Sequence, residues 1–123
     1  MKLARLNAIA ETAVADARRR LPTDVRRAAE AVPVCYESRP TAARLDDGVD
    51  DDLLGLFVGH VHGGELAESQ PLPPQILLFV DNLWDEAGHD VDAYREEVRI
   101  TYLHELGHYL GWDEDEVARR GLD

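Results

Sequence analysis

Cysteine, methionine and aromatic residues are scarce in this chain: one cysteine, one methionine and 7% Phe, Trp and Tyr in 123 residues. A lone Cys35 forms no internal disulfide, so the sequence gives no sign of an oxidising compartment. Its setting in "AVPVCYE" reads as a small buried hydrophobe rather than a reactive thiol. No apolar run is long enough to span a bilayer, and Arg5, Glu11, Asp16 and Arg18 interrupt what would otherwise resemble an export signal. A cytoplasmic location is the expectation.

Positive charge is the other shortage. Thirteen Lys and Arg against 25 Asp and Glu give a formal charge of -12. Such a surface repels phosphate backbones and anionic lipid, so neither nucleic acid nor membrane is expected as a partner. At 45% hydrophobic residues the chain can still bury one core, and residues 1–123 are expected to form a single domain.

Apolar residues recur at helical spacing from Leu3 to Ala17, which predicts an amphipathic helix over about residues 3–20. After Pro22, "TDVRRAAEA" predicts a shorter helix capped by Thr23 or Asp24. "VPVCYE" (residues 32–37) reads as a strand, and the aspartate-rich "RLDDGVDDD" (residues 44–52) as a solvated loop. Asp46 to Asp52 lack the spacing of an EF-hand, which leaves a calcium-responsive loop the weakest of the functional readings. "LLGLFVGHVHGG" predicts a strand entering a turn, and "PQILLFVDNL" a second, more buried strand. Asp92 then caps a long last helix, and a short helix follows it, ending at Gly121. This order predicts an α+β fold with helices on one face of a small sheet.

The chemistry concentrates in "TYLHELGHYLGWDEDE", Thr101 to Glu116. On a helix, Val98, Tyr102, Leu103, Leu106, Tyr109 and Leu110 share one side, and His104 and His108 fall about opposite, facing solvent or a cleft. Imidazoles four residues apart are helical neighbours and can converge on one cation. Glu105 is placed as a general base rather than a ligand. Gly111 lets the chain leave the helix, and Glu114, three residues on, can swing back as a third ligand. Two histidines and a carboxylate suit zinc in hydrolases. Asp113 and Asp115 flank Glu114 and remain alternatives, with helix capping as the other use of this acidic run.

These stretches, with "DLLGLFVGH" and "LPPQILLFVDNL" upstream, resemble the small bacterial zincin-like "minimal" metallopeptidase family, from about Val25 to Leu122. The resemblance implies a zincin-like core over residues 22–123 behind an N-terminal helix (residues 1–21), and one Zn2+ per chain on His104, His108 and an acid at Glu114. It also implies peptide-bond hydrolysis, in which Glu105 helps a zinc-bound water attack a peptide or protein substrate. The family's usual third acid is aspartate, so glutamate here is a departure. The sole methionine is Met1, so no methionine turn can underlie the metal. Nine residues follow Glu114, which predicts an open groove with no C-terminal subdomain over it. A competing reading is a catalytically weak or inactive zincin-fold binding module with a structural metal or none. His60 and His62 in "GHVHGG" are expected to be a solvated strand end, and Trp84 and Trp112 to be packing residues.

Overall fold

The computed structural model describes residues 1–59 and 73–121. Six helices, α1 (Leu3–Arg19), α2 (Thr23–Glu30), α3 (Ala42–Asp46), α4 (Val80–Glu86), α5 (Val91–Tyr109) and α6 (Glu114–Arg119), accompany three strands, β1 (Val34–Glu37), β2 (Gly55–Val58) and β3 (Gln75–Phe79), among the described residues. The architecture is the α+β class that the sequence predicts.

The sheet order is β1-β3-β2, with β1 parallel and β2 antiparallel to β3. The central position of β3 follows from its composition. Ile76, Leu77, Leu78 and Phe79 are all buried, as a strand covered on both faces requires. β1 and β2 lie at the two edges of the sheet, and β2 is less apolar than the central β3.

Helix α5 packs against β2 and β3 on one side and against α1 and α4 on others. Helix α1 presents Leu6, Ala10, Ala13, Val14 and Ala17 to the core. Two polar contacts tie it down. The Tyr94 hydroxyl donates to the Leu6 carbonyl at 2.9 Å. Arg18 donates through Nε to the Tyr102 hydroxyl and through Nη2 to the Val32 carbonyl.

Several local expectations are corrected. Pro22, not Thr23 or Asp24, precedes α2, which has no side-chain cap; the fixed proline dihedral sets up the first turn instead. β1 starts at Val34 because Val32 still closes the end of α2 through a bond to the Ala29 carbonyl, and Pro33 offers no N–H. The start of the aspartate-rich segment is helical. Thr41 caps α3 by accepting from the Arg44 N–H, a signal that the acids downstream obscure.

The run "PQILLFVDNL" is strand only to Phe79. From Val80 the apolar positions Val80 and Leu83 take helical spacing and form α4, a period change hidden in an unbroken apolar run. The cap of α5 is Asp90, which accepts from the Ala93 N–H at 2.8 Å, while Asp92 sits inside the first turn and bonds Arg95. Cys35 is only partly buried, and its thiol donates to Gln75.

Burial gives the fold an alkaline limit. Desolvation, reinforced by Glu11, pushes the Tyr36 phenol up to about 12, and desolvation raises Tyr94 and Tyr102 as well. Unfolded phenols ionise near about 10. Raised folded values favour the fold fully below the unfolded value, and the advantage is lost as pH rises through the folded one. Circular dichroism is expected to show cooperative unfolding between about pH 10 and 12, with tyrosinate absorbance appearing together with it. Free ionisation of the tyrosines before any structural change would contradict this packing.

Candidate metal centre

Helix α5 carries the centre because it is covered on two sides. Val98, Tyr102, Leu103, Leu106 and Tyr109 are buried, as the helical spacing predicts, while His104 is half-buried and His108 exposed. A second buried stripe, Thr101 and Glu105, faces β2, and apolar periodicity gives no sign of it. Glu105 is 7% exposed, a carboxylate set into a packed surface rather than standing in solvent.

Strand β2 explains that burial. The Leu54 carbonyl accepts from the Phe79 N–H, so alternate residues of this strand pair with β3, while Gly55 and Phe57 turn their backbone groups to the outer edge. The Phe57 N–H donates to Glu105 Oε1 at 3.1 Å. Gly55 permits the close approach: a Cβ there would lie 2.6 Å from Thr101 Cγ2 and 3.4 Å from Glu105 Cγ.

The same Oε1 accepts from His108 Nδ1 at 3.1 Å. A carboxylate oxygen only accepts, so in the neutral imidazole Nδ1 carries the proton of this pair and Nε2 the lone pair. That is the tautomer a metal-binding imidazole needs, with the other ring nitrogen held by an outer partner. The rings of His104 and His108 meet edge to face, with centroids 4.5 Å apart. One ligand atom from each of His104, Glu105 and His108 lies within 4.8 Å of the others. Two imidazoles and a carboxylate are a donor set that zinc accepts, and the exposed side of His108 leaves room for further ligands.

Gly111 leaves the helix at a positive φ of 76°. The Trp112 N–H reaches back to the Gly107 carbonyl and the Gly111 N–H to the His108 carbonyl, a Schellman turn. Asp113 caps α6 by accepting from the Glu116 N–H at 2.8 Å. Glu114 is exposed on the first turn of α6 and is not in the three-residue cluster; Asp115 is also exposed. α6 abuts α5 at Gly107, where a Cβ would come within 2.6 Å of Val117 Cγ2. His60 and His62 lie outside the described residues. Asp46 to Asp52 form no comparable metal-sized group among the described residues.

Trp84 and Trp112 pack against the core; Trp84 stacks on His89, and the Arg120 guanidinium lies over the Trp112 ring. Tyr109 is buried, edge to face with Phe57. No helix among the described residues is long and apolar enough to cross a membrane.

A small mixed sheet crossed by a helix with two histidines and an intervening glutamate on one patch defines a zincin-type centre. Residues 29–122 match the zincin-like metallopeptidase family, and the chain belongs to it. A comparison with curated proteins returned no match. The family match begins after α1, although the structure makes that helix part of the core.

Proposed function

We propose that this chain is a zinc-dependent peptidase. The observation that carries the reading is the convergence of His104, Glu105 and His108 on the open side of α5, beside the outward-facing edge of β2. His104 and His108 would hold the ion, with an acid from the start of α6 as third ligand. Glu114 is the first choice because Asp113 is engaged as the cap. Zinc, when bound, supplies Lewis acidity, which polarises a carbonyl and acidifies water.

Glu105 accepts the proton from the attacking water and returns it to the leaving amine. Among the described residues, the hydrogen bonds to its side chain fall on Oε1, and Oε2 is the oxygen assigned to the proton. The Phe57 N–H and His108 hold the carboxylate still, so it spends little reorganisation on reaching the reacting atoms. The outward-turned backbone groups of Gly55 can align an extended peptide along β2.

One observation favours a second reading, a binding module with a structural metal. Glu105 is already tethered to the strand and to His108, and the cluster offers three donors without Glu114. A test on a mixed fluorogenic peptide pool separates the two. Hydrolysis that a chelator abolishes and added zinc restores supports the peptidase. Chelation that lowers the melting temperature, with no cleavage under any condition, supports the structural metal.

A further inference from the structure

A depression of about 320 Å³ opens directly beside His104 and Glu105, lined also by Leu53, Leu54, Gly55, Ile100 and Thr101. Apart from the two site residues, no charged group lines it among the described residues. Ile100 is 37% exposed, a large aliphatic side chain of α5 left facing water. Leu53 and Leu54 also form the wall of a wider hollow of about 710 Å³, which Asp51, Asp52 and Glu86 make acidic. The one cation lining that hollow among the described residues, Arg39, is already paired with Asp85 and Asn82. An apolar seat at the reactive group therefore continues, across a shared leucine wall, into a negatively charged one.

We infer that this trough selects peptides in which an aliphatic side chain occupies the seat beside His104 and a basic residue follows into the acidic hollow. The inference rests on the peptidase reading for its ligand class. Such a peptide complements the trough in shape and charge. Burying a leucine-sized side chain against Leu53, Leu54 and Ile100 is favourable, whereas a carboxylate there would be desolvated against them and set beside the Glu105 carboxylate. In the hollow the chain's formal charge of -12 attracts a cation and repels an anion. Gly55 keeps the floor low, because a Cβ at this position would collide with Thr101.

Short peptide hydroxamates test this without requiring turnover, because the hydroxamate chelates the metal itself. Calorimetry on the zinc-loaded full chain would compare a probe bearing leucine then arginine with one bearing aspartate in place of leucine and one bearing glutamate in place of arginine. The first is expected to bind at least about tenfold tighter than either. Ile100→Glu, a change at a half-exposed position, is expected to erase the leucine preference while retaining hydroxamate binding. Equal affinities for the three probes would overturn the selectivity even if peptides are cleaved. Tight, selective binding without hydrolysis would uphold the trough and remove the peptidase reading. No binding of any probe by zinc-loaded protein would overturn both.

Discussion

Glu105→Ala is expected to retain zinc and to cut peptide hydrolysis by roughly 10²–10⁴-fold, the usual contribution of a positioned general base. Two hydrogen bonds from described residues meet at Glu105 Oε1. They come from the Phe57 N–H and from His108 Nδ1, and neither passes through the metal. Truncation leaves His104 and His108 on the same helical face while removing the proton acceptor and the hydrogen-bond partner of the Phe57 N–H and of His108. The His108 Nδ1 proton then loses its partner, so a modest weakening of zinc affinity, about 10-fold, accompanies the change. Metal content by elemental mass spectrometry and turnover on one sample separate the outcomes. Full activity in the variant would refute the assigned role. Loss of zinc together with activity would favour Glu105 as a ligand, as the structural-metal reading has it.

The second large effect concerns α1. Removal of residues 1–21 is expected to abolish cooperative unfolding of the remainder, although the family match covers only residues 29–122. Helix α1 contributes Leu6, Ala10, Ala13, Val14 and Ala17 to the core and covers α4 and α5. Each leucine- or valine-sized side chain removed from burial, and each apolar partner uncovered, costs about 1.5–3 kcal/mol. Deletion also strips the Tyr94 hydroxyl of its acceptor on Leu6 and the Tyr102 hydroxyl of its donor Arg18. Polar groups stranded in a core cost about 1–3 kcal/mol each. Against a typical total of about 5–15 kcal/mol, nothing is left to hold α5 and its histidines in place. A truncated chain that still melts in a single sharp transition would show α1 to be an appendage.

The sequence made the candidate metal face of α5 legible because His104 and His108, four residues apart, lie opposite a clear apolar stripe at helical spacing. Gly111 as a helix exit was legible for the same kind of reason, since a glycine ahead of an acidic cap has few other uses. Two features were hidden. α4 follows β3 with no polar break, so the change from strand to helix period at Val80 is masked by continuous hydrophobicity. The burial of Glu105 depends on the edge of β2, 48 residues away in sequence, and no local pattern encodes a backbone N–H aimed at a carboxylate. Gly55, read only as part of a strand, proves to be what lets β2 come that close. The place of Glu114 is a matter of how α6 docks on Gly107, a contact that spacing alone does not specify.

The central claim is that His104 and His108 hold a zinc ion, and the most direct test is the zinc content of protein purified without a metal-affinity tag, beside His108→Ala. About one zinc per chain in the parent, lost in the variant, is the predicted result. No zinc in either protein, even after zinc is offered back, would contradict it.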